Sequence, residues 1–535
     1  MNKLRRFVSK AAVAMLAVIP LAGMAFAQQQ GGTLRVALGY DLDTLDPYAS
    51  GFLTDVQATF LAGLVTPNHD AEYDPVLVEE VPTLENGGIT FNEDHTKMIV
   101  TYHLLPDLKW ADGEPLTSAD VLFTWEAIND PAYLGPEKGP AADIERIETP
   151  DELTAVVYYN GIYSGFKASM FTYGLLPQHA LEGKDLNTDA FWDAPFGAGP
   201  YMVTEFVRGQ HVVVERNPYY HEVDENGVQL PYIDQIVFMI TPDSNTQTTQ
   251  LRSGEIDFAY NMPQTSLASI EGSENLVVEY APTLGFRHLT LNLNNEHLAD
   301  HAVRQAIAHA IDREVLNRAL GDFMLPIDTF VVSTFSFSSD DVPTYEYDPE
   351  LARQILTDAG YVPGNDGIMA KDGSRLSFSF MTQAGRAEYE TAQQVLMAQL
   401  NAIGIETSTD NKVGAALSEA RRAGEFDVWY SGWITPADPI DSYISFYGTD
   451  GFNNGGAYSN PEADAVLNAA NQELDPAIVA EEMQTAQEIV LSDIPSIPLL
   501  EAPSIVVRSN RLQGFVSNPT NQTNFRQVAT WWLAD

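Results

Sequence analysis

Residues 376–431 read LSFSFMTQAGRAEYETAQQVLMAQLNAIGIETSTDNKVGAALSEARRAGEFDVWYS, and this stretch decides the fold class. Leu376, Phe378 and Phe380 alternate as the residues of a half-buried strand do. Tyr389, Ala392, Leu396 and Leu400 then recur at helical spacing. Residues 405–410 read as strand, 415–422 as helix and 426–431 as strand again. Strands alternating with helices of this length imply parallel β-α-β units. Such open sheets hold ligands beyond the carboxyl ends of their strands. Two loops fall there, one over 382–386 and one starting at Gly432.

The second loop belongs to DVWYSGWITPADPIDSYISF, residues 427–446, which holds two of the chain's seven Trp. On the strand before it, Tyr430 shares a face with Val428, and Trp429 shares the other with Asp427. One of that pair belongs to the core, and the pattern leaves open which. Trp433 is expected past the strand end, where binding residues concentrate. Aromatic faces with a few polar groups suit peptides or sugars. An ordinary aromatic minicore is the structural alternative.

Outward from this stretch the α/β pattern continues. Residues 350–359 read as helix, and Asp300 reads as the N-cap of a helix carrying Val303, Ile307, Ala310 and Ile311. Nearer the start, residues 31–38 alternate as a strand and end in the turn-rich DTLDP, 43–47. Residues 118–128 read as a helix capped by Ser118. Residues 202–207 and 211–216 form an expected hairpin after GAGPY, and 232–240 a further strand. There is no internal repeat and no long linker, so the lobes are expected to interleave in sequence.

The 535 residues are 45% hydrophobic and contain no cysteine, which fits two to four domains and excludes thiol chemistry and disulfides. Lys3, Arg5, Arg6 and Lys10 precede a short apolar run ending in Ala25-Phe26-Ala27, the pattern of a secretory leader cleaved after Ala27. The run is too short for a membrane span, and no cysteine can carry a lipid. A periplasmic protein without a direct membrane anchor is expected. With 28 basic against 74 acidic residues, the net charge of −46 repels nucleic acid and anionic membranes.

Motifs for catalysis are lacking. His297 and His301 have helical ligand spacing, but EHLADH is not HExxH, and Asp300 as N-cap places His297 before the helix. Asp41, Asp43 and Asp46 lack the Gly and Glu of a calcium loop and read as turn chemistry. No nucleophile elbow, P-loop or dinucleotide fingerprint occurs, and among 74 acidic residues no carboxylate pair stands out. No catalytic residue, metal site or cofactor is assigned.

Several motifs then carry a resemblance: GGTLRVAL and DTLDP (31–47), LKWADGEPLTSADVLFTWEAI (108–128), GAGPYMVTEF (197–206), LRSGEIDFAY (251–260), HLTLNLNNEHLADHAVRQAIAHAIDRE (288–314), LTDAGY (356–361) and FDVWYSGWITPADP. Over nearly the whole chain the sequence resembles the family 5 extracellular solute-binding proteins of ABC importers, which take up peptides, oligosaccharides and nickel complexes. The resemblance implies a two-lobed α/β fold, the type II periplasmic-binding-protein fold of cluster C, with an extra α/β domain inserted in lobe I. Lobe I would gather 28–50, 190–285 and 500–535, the inserted domain 51–189, and lobe II 286–499. It implies a monomeric receptor that closes by hinge motion on a small solute and delivers it to a membrane permease, with no chemistry of its own.

The resemblance also transfers ligand positions. The loop after DTLDP supplies Tyr48 and Phe52, Arg421 matches a basic residue before Phe-Asp, and Tyr430 stands where some peptide binders have Arg. Independently of the resemblance, the loops at the strand ends make Trp433 the platform, with Arg386 and Thr435 beside it. Peptide binders place an Asp three residues after that Trp for the ligand ammonium, and here Pro436 stands there. An ammonium taken out of water needs a carboxylate. Either Asp438 or Asp441 takes that role, or the ligand has no ammonium there. A peptide and an oligosaccharide therefore both remain open. A secreted hydrolase is the rival of a different class, and an environmental sensor using the same cleft a third reading.

Overall fold

The computed structural model describes residues 30–49, 53–135, 139–168, 170–270, 272–520 and 524–534. The expected leader and Phe52 lie outside them. The fold is α/β and built on three principal sheets. A seven-stranded sheet runs in the order 276–281, 504–509, 258–259, 33–38, 235–240, 211–216 and 201–207. Thr33–Leu38 is parallel to its neighbour Gln235–Ile240, in register from Thr33 opposite Gln235 to Leu38 opposite Ile240. A six-stranded sheet contains Gly285–Leu291, Ser377–Met381, Glu406–Thr409, Val428–Ile434 and Ser496–Glu501, with the short Leu325–Pro326 at one edge. The expected parallel unit is present, since Ser377–Met381 is parallel to both Glu406–Thr409 and Val428–Ile434. A four-stranded antiparallel sheet spans 89–159.

The cores show which parts pack as one. One continuous cluster joins the seven-stranded and four-stranded sheets, running from Leu34 and Val36 through Trp110, Val157 and Phe171 to Trp531. The six-stranded sheet has separate clusters, one around Leu289, Phe380 and Tyr430 and one around Phe286, Phe330 and Tyr443. Two segments, 282–284 and 502–503, connect the large sheets. They are bonded to each other, because Thr283 Oγ1 donates to the Ala502 carbonyl at 2.7 Å and the Ala502 amide to the Gly285 carbonyl at 3.0 Å.

Local chemistry accounts for the helix bounds. Asp300 caps His301–Ala310 by accepting from the Ala302 amide. His297 precedes that helix and bonds Tyr361 and Ser374, while His301 bonds the Ser492 carbonyl, so the two rings are structural. Helix Ser118–Asn129 is capped by Thr117, not Ser118, through a reciprocal capping box with Asp120. In DTLDP, Asp46 accepts from the Tyr48 amide and the Tyr133 hydroxyl, as turn chemistry requires.

Candidate ligand cleft

The strand Val428–Ile434 is longer than the sequence pattern indicates. It pairs antiparallel with Gly285–Leu291 as far as Ile434 opposite Gly285, so Trp433 and Ile434 are strand residues. Side chains alternate along a strand. Trp429 and Trp433 therefore share one face, and Tyr430 and Ile434 the other.

That alternation separates the aromatics. Trp433 is stacked on Phe446 (centroids 4.4 Å, 23°) and on His288 (5.9 Å, 29°), with Trp429 edge-on at 5.8 Å and the Arg421 guanidinium 5.5 Å from its ring. These neighbours cover much of the ring, which sits half-buried at the edge of an aromatic minicore and outside the two cavities described below. Arg421 is committed to the same cluster and to Asn453 Oδ1. Tyr430 is 0% exposed in the core of the six-stranded sheet and does not reach the cleft surface. Both Trp429 and Tyr430 are buried, on opposite faces.

Other expected contacts also fall elsewhere. Tyr48 is wholly buried, donates to the Gly174 carbonyl at 2.6 Å and stacks on Tyr173. Thr435 is buried and bonds the Leu284 carbonyl, tying the strand end to the connecting segment. Asp438 accepts from the Tyr73 hydroxyl at 2.6 Å. Asp441 accepts from the Tyr163 hydroxyl and from Asn471 Nδ2 at 2.9 Å. Neither acid lines the cavities described next.

A cavity of about 780 Å³ lies between the two large sheets, at the carboxyl ends of the parallel strands. Arg386, Glu388, Tyr389 and Ile434 line one side, and Asn261 and Ser504 belong to the other. A second cavity, about 370 Å³, is lined by Tyr40, Asp55 and Tyr260 and shares Asn261, Thr283, Ile434 and Ser504 with the first. Together they form one groove, into which Ile434 projects at 59% exposure. Of the expected residues, Arg386 alone lines this groove among those described.

The wall around Arg386 is built in layers. Tyr430 packs edge-on against Tyr389 at 5.3 Å, and Tyr389 carries the Arg386 guanidinium 4.0 Å from its ring. Arg287 Nε donates to Glu388 Oε1 at 2.7 Å, and Arg386 Nη2 lies 3.7 Å from Glu388 Oε2. Gly432 leaves room for this, because a Cβ there would come within 2.6 Å of Arg287 Nη1. Two guanidiniums thus share one carboxylate, and the wall carries a net positive charge in a chain of net charge −46. Sequence reasoning missed Arg287, Glu388, Tyr389 and Ile434. The available signal was Arg287 itself, a charge within the otherwise apolar-rich GFRHLTL strand.

His288, beneath Trp433, bonds Ser496 Oγ and Ser431 Oγ. Burial, assisted by Arg287, lowers its pKa from 6.5 to about 3. The unfolded chain therefore binds a proton between pH 6.5 and 3 that the folded chain refuses, so this residue's stabilisation is complete above 6.5 and declines as pH falls. Across that window His288→Asn should flatten the acid arm of the stability curve by up to about 1.4 kcal/mol per pH unit. Urea midpoints measured from pH 7 to pH 4 check this.

Comparison with known proteins places the chain. Residues 73–454 match the model of the bacterial extracellular solute-binding proteins, family 5, and the chain belongs to that family. It is 28% identical over 498 residues to the oligopeptide-binding protein AppA of Bacillus subtilis (strain 168), covering 90% of this chain and 87% of AppA. It is 28% identical over 511 residues to the glutathione-binding protein GsiB of Salmonella typhi, covering 92% and 93%. The solved structure of B. subtilis AppA in complex with a nonapeptide superposes with a TM-score of 0.73 at 25% identity, covering 95% of this chain and 100% of that one. The protein is thus an extracellular solute receptor of the ABC-importer type, not an enzyme. No helix among the described residues is long and apolar enough to cross a membrane, and no group of three or more His, Cys, Asp or Glu there could hold a metal ion.

Proposed function

We propose that the protein captures a short peptide in the groove between the two large sheets and hands it, unaltered, to a membrane permease. The observation that carries this is the positively charged wall at Arg386, where two guanidiniums share Glu388 beside a cavity of about 780 Å³. A planar guanidinium matches a carboxylate, and Arg386 is held in place by Tyr389 while about half exposed. The ligand's free carboxylate docks there, and Ile434 packs against its chain. The named ligands of AppA and GsiB, an oligopeptide and glutathione, support a peptide over a sugar. The sugar reading rested on the acid missing at Pro436 and on aromatics near the crevice, and among those aromatics Trp433 has Phe446 and His288 stacked on it.

In this reading the moving bodies are the two expected lobes with their borders set at the connecting segments, 28–50 with 190–281 and 504–535, joined by the inserted 51–189, against 285–501. They bend at the two connecting segments, the protein acts as a monomer, and its leader is removed after Ala27. Ligand touching both bodies favours the closed form by its differential affinity.

Arg386→Gln should weaken binding of peptides with a free carboxyl terminus by about 1.5–3 kcal/mol, roughly ten- to a hundredfold. The same peptides as C-terminal amides should bind wild type and variant alike. Titration calorimetry on refolded protein stripped of solute checks this. Equal affinity of wild type and Arg386→Gln for the free acid removes Arg386 from the site.

A further inference from the structure

Asp438 and Asp441 have a use that does not involve the groove. Both lie at the start of the segment that follows Val428–Ile434, and both reach a different part of the chain. Tyr73, from the strand Tyr73–Pro75, donates to Asp438 Oδ2 at 2.6 Å. Tyr163, just past the strand Thr154–Tyr159, donates to Asp441 Oδ2. Next to it the Ser164 amide donates to the Asn471 carbonyl at 2.9 Å, and Ser164 Oγ to Asn471 Oδ1 at 3.2 Å. Asn471 returns a bond to Asp441 Oδ1 at 2.9 Å, closing the set. The Lys167 ammonium lies 4.7 Å from the Tyr73 ring and adds positive charge to this acidic edge.

These bonds cross between the part that shares its core with the four-stranded sheet and the part built on the six-stranded sheet. Tyr73, Tyr163, Asp438, Asp441 and Asn471 are absent from the linings of both groove cavities, and Tyr163, Asp441 and Asn471 border a separate cavity of about 610 Å³. At another crossing between the large sheets, Phe323 packs against the cores of both, with its ring tilted against Tyr280 at 5.8 Å. Charge-assisted hydrogen bonds of the Tyr-to-carboxylate kind are among the stronger ones. A contact present only when two bodies meet stabilises the closed arrangement whatever the groove holds.

We propose that Tyr73, Tyr163, Asp438 and Asp441 form a clasp outside the groove that favours the closed arrangement independently of ligand, and so raises affinity without touching it. This rests on the hinge-closing receptor reading above. The clasp gives each of these acids a tyrosine partner outside the groove. Because the competent closed state is already populated, the conformational cost deducted from ligand binding is small. Loosening the clasp should lower affinity by enlarging that deduction.

The cysteine-free chain allows a direct test. In the full-length chain, Ser164→Cys with Asn471→Cys places a thiol pair across the clasp. Solute is removed by unfolding and refolding, and disulfide formation under mild oxidation is timed with and without a mixture of synthetic pentapeptides with free termini. The pair should close without peptide, and about tenfold more slowly when Tyr73→Phe and Tyr163→Phe are added; peptide should restore the rate in the Phe background. Closure that needs peptide even with both tyrosines present, or a rate indifferent to the Phe changes, overturns the clasp and leaves the receptor reading standing. Small-angle scattering of the cysteine-free wild type and the Tyr73→Phe, Tyr163→Phe variant repeats the comparison without engineered thiols. The stripped wild type should be the more compact of the two, and equal dimensions overturn the clasp. If no peptide compacts either protein, and calorimetry detects no binding, the receptor reading itself fails.

Discussion

Trp433→Ala is expected to cost about 2–4 kcal/mol of stability while leaving peptide affinity within about twofold, the reverse of what a ligand platform would give. The stack on Phe446 at 4.4 Å, the stack on His288 at 5.9 Å and the edge of Trp429 all lose their common member. The void would lie under the six-stranded sheet, next to a His whose burial keeps it neutral. Denaturant titration gives the loss, read on the transition that includes this sheet, because lobed proteins need not unfold in one step. Calorimetry under native conditions gives the affinity. A large fall in affinity at unchanged stability would return Trp433 to the ligand surface.

The second large effect concerns Arg287 and Glu388. Their side chains are 11% and 28% exposed and hydrogen-bonded at 2.7 Å. Removing one member of a buried pair leaves the other charge unpaired, which costs about 3–5 kcal/mol when burial is complete and about 2–4 kcal/mol here. Arg287→Ala should approach that figure. Glu388→Ala should cost at least as much, because it strands the more buried Arg287 guanidinium and leaves it facing Arg386 without the shared carboxylate. The double substitution should recover part of the loss, and the cycle should return a coupling of about 1–3 kcal/mol. A coupling near zero would mean that the two charges are solvated separately, and the layered wall behind Arg386 would lose its support.

How far the sequence carries can be judged from particular residues. The parallel unit over 376–431 was legible because its periods of two and 3.6 are carried by large apolar residues that the core selects. Asp300 was legible as a cap because capping is a contact between near neighbours in sequence. The end of the strand at Ile434 was not, because its last pairs are set by Gly285 and Phe286, almost 150 residues away. That misplaced end put Trp433 past the strand, where no alternation assigns it a face. The groove wall was hidden for a similar reason, since Arg287 and Glu388 meet across 101 residues. Tyr48 misled in another way. Its position after the DTLDP turn suits a contact loop, yet the cluster that holds Trp110 and Phe171 takes the whole ring. The replacement of an expected acid by Pro436 was visible in the sequence. Its consequence was not, because Asp438 and Asp441 find their partners in Tyr73 and Tyr163 through tertiary contact alone.

The central claim is that this receptor encloses an unchanged peptide between two bodies and performs no reaction on it. Native mass spectrometry tests it most directly, on protein stripped of solute and then incubated with synthetic peptides of known mass. The account predicts one peptide per protein chain, released on denaturation at its starting mass, with occupancy greatly reduced in Arg386→Gln. Recovery of cleaved fragments, or no adduct with any peptide of two to nine residues, contradicts it.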